Sequence, residues 1–281
     1  MTARLPQVNK LVIPGQKAAD LTEVITGITV DYTTDSVAEL TLDLIDSRLR
    51  VVSGGAALVG NRVTFDRQPW QVGGVESTLV EAGGQMSLRC RDPLAKALRA
   101  TYKTSAEKKV SPSAWVTARV ARAGGTSVVQ PSSKRGTIAQ AKNQSDLEVI
   151  ASLAGELEWS WTSYDGVFLF ASRHYAWQGN LPGMPTWAMT WKKSPKTDAL
   201  TASWNVSDDD TENLAELDVE LPYGYGAQLR PWHRIASTLP GAAGTYLVES
   251  VTITHDGATP VQVKATKPKK PSPKPGSSGE E

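Results

Sequence analysis

The sequence predicts a mainly β protein interrupted by one small α/β unit. Two observations carry that reading: apolar and polar residues alternate near both ends of the chain, and capped helices crowd its middle. Alternation of period two sends successive side chains to opposite faces of a sheet. Ile28, Val30 and Tyr32 alternate in this way, and after a Thr34-Asp35-Ser36 break Leu40, Leu42 and Leu44 do the same. Glycine pairs at Gly54-Gly55, Gly73-Gly74 and Gly83-Gly84 are spaced as turns between short strands, the pattern of a sandwich or barrel.

The texture changes at Cys90-Arg91-Asp92-Pro93-Leu94. Asp92 suits a helix N-cap and Pro93 the first helical position, where its missing N–H costs nothing. Leu94 and Leu98 then lie one turn apart. Ser111-Pro112 opens a second helix in the same way, with Val116 and Val120 on its buried face and Gly124-Gly125 as its stop. Ser145-Asp146-Leu147-Glu148 is a capping box for a third helix, whose apolar face is Leu147, Ile150, Ala151, Leu153 and Ala154. A hairpin follows: Trp159 and Trp161 alternate on one strand, Asp165-Gly166 turns the chain, and Phe168 and Phe170 alternate on the return. These four aromatics are expected to share a face over the third helix.

From about Ala199 the strand pattern returns, in Trp204 and Val206 and then Leu217, Val219 and Leu221. A long strand from Gly244 ends in a turn at Asp256-Gly257, and a last strand carries Val261 and Val263. After Thr266 the prolines at 268, 271, 273 and 275 predict an extended, solvated tail, so that truncation at Lys267 leaves stability unchanged.

Composition narrows the function. A chain of 281 residues suggests one to three domains, and 40% hydrophobic with 21% charged residues is ordinary for a soluble chain. A net charge of +1 lacks the basic excess of a nucleic-acid binder. A single cysteine, Cys90, excludes an internal disulfide framework and predicts a buried small hydrophobe at the end of the Met86-Leu88-Cys90 alternation. The N-terminus has no signal-peptide run, and no window approaches the ~18 apolar residues of a membrane span. The expectation is a protein made in the cytoplasm that leaves, if at all, inside a particle.

Chemistry is hard to find. His174, His233 and His255 fall in no metal-ligand spacing, and neither a phosphate-cradling loop nor a nucleophile elbow is present. Gly224-Tyr225-Gly226 lacks the rest of a dinucleotide fingerprint. Asp208-Asp209-Asp210-Thr211-Glu212 fails as a calcium loop, since its sixth position is Asn213 and its twelfth Val219. Glu156 and Glu158 read as surface charges rather than a hydrolytic pair. There is thus no catalytic, cofactor-binding or metal-ligating residue to nominate, and the chain reads as no enzyme. Nine tryptophans against three phenylalanines keep a rival open, a carbohydrate-binding module with stacked indoles, although Trp159, Trp161 and Trp204 follow a burial pattern. A tail-associated lysozyme is the other alternative.

The order of these features resembles the phage baseplate-hub or tail-associated protein family, which includes the base of type VI secretion spikes. The resemblance runs from Ser87–Leu94 through the helix ending at Gly124-Gly125, Gln144–Ala154 and the Trp-rich hairpin, to Gly244–Val251 and the last strand. It implies two tube-like β-barrel domains, 1–91 and 198–266, flanking an inserted α/β domain, 92–197, with a flexible tail over 267–281. It also implies a homotrimer at the tail tip of a virion, assembled in the host cytoplasm. The implied partners are tail tube and distal tail proteins, the tape measure protein and other tip proteins, with DNA or effector passing through unread. Relatives that carry a C-terminal lytic domain differ from this chain, which ends in the Pro/Lys segment.

The chain also corresponds with itself. Trp70-Gln71-Val72-Gly73-Gly74-Val75 aligns with Tyr246-Leu247-Val248-Glu249-Ser250-Val251, and Met86-Ser87-Leu88-Arg89 with Val261-Gln262-Val263-Lys264. A nearly fixed offset is the mark of an internal repeat, and the two β-rich stretches are expected to share one strand order.

Overall fold

The computed structural model describes residues 7–48, 58–80, 83–100, 104–206 and 213–269. The acidic run 208–212, Gly54-Gly55 and the tail from 270 onward lie outside the described residues.

The first stretch gives β1 (Leu11–Val12), α1 (Ala18–Val24), β2 (Ile25–Thr33), β3 (Ser36–Val37), β4 (Glu39–Asp46), β5 (Arg62–Phe65), β6 (Gln68–Val80) and β7 (Gly83–Arg91). The middle gives α2 (Pro93–Leu98), β8 (Ser105–Val110), α3 (Pro112–Arg122), β9 (Thr126–Val129), β10 (Gly136–Gln140), α4 (Asp146–Leu157), β11 (Ser160–Tyr164) and β12 (Val167–Ala171). The last stretch gives α5 (Arg173–Trp177), β13 (Thr186–Met189), β14 (Thr201–Val206), β15 (Asn213–Leu221), α6 (Tyr223–Gly226), β16 (Arg234–Ser237), β17 (Gly244–Thr254) and β18 (Val261–Pro268).

The protein is mainly β, and the strands of both ends join in one curled sheet of order β1-β5-β6-β7-β4-β2-β17-β18-β15-β14, with β16 also on β17 and β13 on β16. Neither end closes into a barrel by itself among the described residues. The two ends nevertheless repeat one another. In chain order, β2, β4, β5, β6 and β7 correspond to β14, β15, β16, β17 and β18, and each set of five lies side by side as third-fourth-fifth-second-first.

Registers coincide as well. Val72 faces Cys90, a bulge follows, and Gly74 faces Arg89; Val248 faces Ala265, a bulge follows, and Ser250 faces Lys264. Arg62 and Val63 face Gln71 and Trp70, as Arg234 and Ile235 face Leu247 and Tyr246. Gly73-Gly74 is therefore not the turn that composition suggests. It is the bulge of β6, an extra residue that bends the strand and sharpens its twist.

One face of this sheet is apolar throughout. Ile28, Val30, Leu40, Leu42, Leu88, Leu217, Val251 and Val263 are all buried there in one core. The helices α5, over β17 and β18, and α6, over β15 and β18, cover part of it. Helix α6 comes close because Gly226 has no side chain: a Cβ there would lie 2.6 Å from Cβ of Val261.

The α/β unit has a core of its own, from Leu94 to Phe170 together with Val37. The caps form as composition dictates: Asp92 accepts from Leu94 N (2.9 Å), Ser111 from Ala114 N (3.3 Å), and Ser145 with Glu148 closes a capping box. Trp161 stacks on Phe168, and Trp159 meets Phe170 edge-on. Leu147, Ile150, Leu153 and Ala154 face them from α4, whereas Ala151 is exposed and Val149 takes a buried place. The second core stops at Phe170. Ala176, Leu181 and Met189 belong to the large core, because β13 hydrogen-bonds to β16, so the middle unit is packed separately over less than 92–197.

The last strand also runs further than expected. Lys267 and Pro268 pair with Ala215 and Asn213, and the Lys267 ammonium sits 4.5 Å over the Tyr246 ring and donates to Ala243 O. Pro268 is tolerated because it ends the strand. Truncation before Lys267 thus removes packed residues, and the expected loss is about 1 kcal/mol, read as a lowered urea midpoint.

Asp92 joins the two cores. Beyond capping α2 it accepts from Ser163 Oγ (3.1 Å) and Gly166 N (3.2 Å) at the hairpin. Its carboxyl is raised above the usual range by burial, against the pull of those hydrogen bonds. Asp92→Ala leaves three donors without their acceptor, and we expect a loss of about 2–3 kcal/mol, measured by chemical denaturation.

Candidate assembly interface

Strand β17 has eleven residues and two different neighbours along one side. Its first half, Gly244–Leu247, pairs with β16, and its second half, Ser250–Thr254, pairs with β2; β18 runs along the other side. The change of neighbour falls at the bulge, on Glu249. That residue is held in place: its carboxylate forms an ion pair with Arg173 and accepts from Thr266 Oγ1 (3.0 Å), while its carbonyl accepts from Thr34 N (2.9 Å). Arg173 also donates to Asn213 Oδ1 (3.0 Å) and Thr266 Oγ1 (2.8 Å).

The seam with β2 is where the two repeated units meet. On the polar face Thr252 Oγ1 donates to Asp31 Oδ1 (2.6 Å), and on the apolar face Tyr32 lies against Val251. Tyr32 packs edge-on against Tyr164 and under the Arg230 guanidinium at 4.3 Å. Burial raises both phenols above their ordinary range, so they remain neutral donors.

Two stretches of strand edge stay open among the described residues. On β6, strand β5 pairs Gln68–Gln71, and Gly60 and Asn61 hydrogen-bond Val72, leaving Gly74–Val80 without a described neighbour on that side. On β14, only β15 is paired. These edges carry exposed apolar side chains: Val206 (66%), Trp204 (45%) and Leu200 (51%) at β14, and Leu79 (71%) on β6. Trp204 therefore departs from the burial that its alternation suggests; it occupies a core-side position on an edge that no described strand covers. The sheet's polar face carries Asp31, Glu39, Asp43, Glu216, Asp218 and Glu220 against Arg89, Arg91 and Lys264. A shallow groove of about 500 Å³ runs along it, lined by Ser203, Asp218, Glu220, Thr252, Gln262 and Lys264 among others.

The candidate chemical groups do not converge among the described residues. Among the described residues no three His, Cys, Asp or Glu side chains form a metal-sized cluster. His233 accepts at Nδ1 from Trp187 Nε1 (3.1 Å) and from Arg230 N (3.2 Å), and burial lowers its pKa to about 4. His255 shares a hydrogen bond with the Tyr223 hydroxyl (2.8 Å), meets Phe65 edge-on, and is likewise lowered to about 4 by burial. His174 packs beside Trp177. Glu156 and Glu158 are exposed at the end of α4. Cys90 is buried, which pushes its thiol up to about 12.

No family model and no curated protein sequence matches the chain. Solved structures do. An E. coli protein, described as a component of the type VI secretion system with structural similarity to the T4 bacteriophage tail proteins gp27 and gp5, aligns over 94% of this chain and 79% of its own, at 12% identity and a TM-score of 0.64. A 43 kDa tail protein of prophage MuSo2 from Shewanella oneidensis aligns over 87% and 96%, at 9% identity and a TM-score of 0.60. The tail protein of Neisseria meningitidis MC58 aligns over 86% and 91%, at 9% identity and a TM-score of 0.59. The chain has the phage tail-protein fold. The resemblance read from its motif order points to the same fold, and within that fold the bulge, the seam and the open edges are the features that sequence reasoning missed. Only the repeat offset touched them, since it aligns Gly73 with Glu249.

In this tail-protein fold the two half-buried histidines, His233 and His255, make stability depend on pH. Both folded pKa values lie below the unfolded value of about 6.5, so their contribution is complete above pH 6.5 and is lost as pH falls toward 4. Between pH 6.5 and 5 few carboxylates titrate. We expect the melting temperature to fall across that window, and a His233→Asn, His255→Asn variant to show a flatter profile. The bulge anchor gives a second expectation. Glu249→Ala leaves the Arg173 guanidinium partly buried without its carboxylate, for a loss of about 3 kcal/mol in urea unfolding.

Proposed function

We propose that this chain is a baseplate-hub or tail-tip subunit of a phage or phage-like particle, acting as a homotrimer whose ring continues the tail tube. The observation that carries the reading is the duplicated five-strand unit, with one strand order and one bulge position in both halves. A ring of three such chains offers six near-equivalent faces, which matches a six-fold tube. In this reading 1–91 and the β-rich stretch from 198 through Pro268 are the two tube-like domains, the insertion lies within 92–197, and the residues after Pro268 are a tail reaching toward a neighbouring tip protein. The tail tube, the tape measure protein and other tip proteins are its partners.

The polar face of the sheet, with its carboxylate excess, then lines the channel. Like charge keeps a passing DNA from adhering, the opposite of a counterion-releasing basic surface. The role proposed is structural rather than enzymatic.

Quantitative mass spectrometry of purified particles should give three copies per tail, and six or twelve would sink the hub reading. Purified protein should leave a cell-wall zymogram uncleared. Clearing that is lost on changing Glu156 or Glu158 would show instead that the chain is a lysozyme.

A further inference from the structure

The seam between β2 and β17 describes a second seam whose two halves lie at opposite ends of the sheet. By strand order and register, β14 is the counterpart of β2, and β6 is the counterpart of β17. The stretch of β17 that pairs with β2 corresponds to Gly74–Thr78, the stretch of β6 that is open among the described residues. Strand β14 has its free side where β2 meets β17. Within one chain the strands β7, β4, β2, β17, β18 and β15 separate β6 from β14, so the two open edges meet only between copies.

We propose that β14 of one copy adds antiparallel to β6 of the next, pairing Val206 with Val75, Asn205 with Glu76, Trp204 with Ser77 and Ser203 with Thr78. This register is that of Tyr32, Asp31, Val30 and Thr29 on Val251, Thr252, Ile253 and Thr254, carried from one unit to the other. It rests on the ring reading for the number of copies, but the strand pairing itself comes from the internal seam.

The side chains fit that placement. Trp204 and Val206 take the core-side positions that Val30 and Tyr32 hold, and the small Ser77 opposite leaves room for the indole. On the polar side the Asn205 amide is set to donate to the Glu76 carboxylate, where the Thr252 hydroxyl donates to Asp31 in the existing seam. Donor and acceptor change strands while the hydrogen bond is kept. Glu76 already carries Arg89 at 3.0 Å, which leaves its second oxygen to accept. The contact joins two different surfaces, so successive copies add head to tail, the geometry from which a closed ring is built.

Single-cysteine chains Glu76→Cys and Asn205→Cys, mixed and oxidised as full-length protein, test the register; the native Cys90 is buried and silent. Facing Cβ atoms in paired strands lie about 5 Å apart, and a partner four residues along lies about 14 Å away. The Glu76→Cys and Asn205→Cys mixture should therefore give at least about tenfold more cross-linked dimer than Glu76→Cys mixed with Thr201→Cys. Equal yields from the two mixtures, or no cross-link at any concentration, would overturn the proposal. Native mass spectrometry of the same samples separates it from the ring reading. A trimer that cross-links elsewhere keeps the hub and sinks the register, whereas cross-linking at 76 and 205 in another copy number keeps the register and sinks the trimer.

Discussion

Everything in this molecule hangs on one strand having two neighbours on the same side. Strand β17 can exchange β16 for β2 only because Glu249 adds a residue at the point of exchange, which turns the strand and ends one ladder before the next begins. A bulge leaves its residue outside the regular ladder, and here Thr34 N and the Arg173 guanidinium take up the polar groups this exposes. Remove that residue and the ladder runs on regularly, Val248 opposite Ala265 and Ser250 opposite Lys264, without the bend that separates the two neighbours.

The duplicated unit uses the same device twice with different chemistry. At Glu249 the bulge carries a long acidic side chain that reaches a partly buried arginine. At Gly73 it carries none, and the Arg89 carbonyl lies 3.6 Å from where a Cβ would stand. The fold therefore requires the extra residue in both units, whereas the anchor is needed only where two units of one chain join. A similar division holds at Trp70 and Tyr246, both buried at the same register opposite Val63 and Ile235. Shape is conserved between the halves there, and the indole and phenol are interchangeable fillers of one position.

Local rules made much of this legible in the sequence. The caps at Asp92, Ser111 and Ser145 act through backbone groups two or three residues away, so composition alone places them. Asp165-Gly166 turns as expected because both residues accept positive φ. What was not legible is which strands lie together. The hydrogen bond from Thr252 to Asp31 spans 221 positions, and alternation says only that each residue faces a polar side, not whose. The same blindness made Gly73-Gly74 look like a turn and Trp204 look buried. A period of two assigns the face of a side chain but not whether anything covers it.

That last distinction decides how the open edges are to be understood. Strand edges of soluble proteins are guarded by lysine, proline or inward charges, since an unpaired ladder invites other strands. Strand β14 reads Thr-Ala-Ser-Trp-Asn-Val, with no charge and no proline, and the open stretch of β6 carries Glu76 as its one ionisable group. An edge with this composition, held flush by β15 along its whole length, is a liability in a lone chain. Pairing with another strand removes that liability. The bulge of β6 restricts the occupant, because β5 and the Gly60-Asn61 backbone fill the ladder up to Val72 and pairing can resume only past Gly73. A strand joining there must match the shift that β2 matches at β17, and β14 is the strand in this sequence built on the same register as β2.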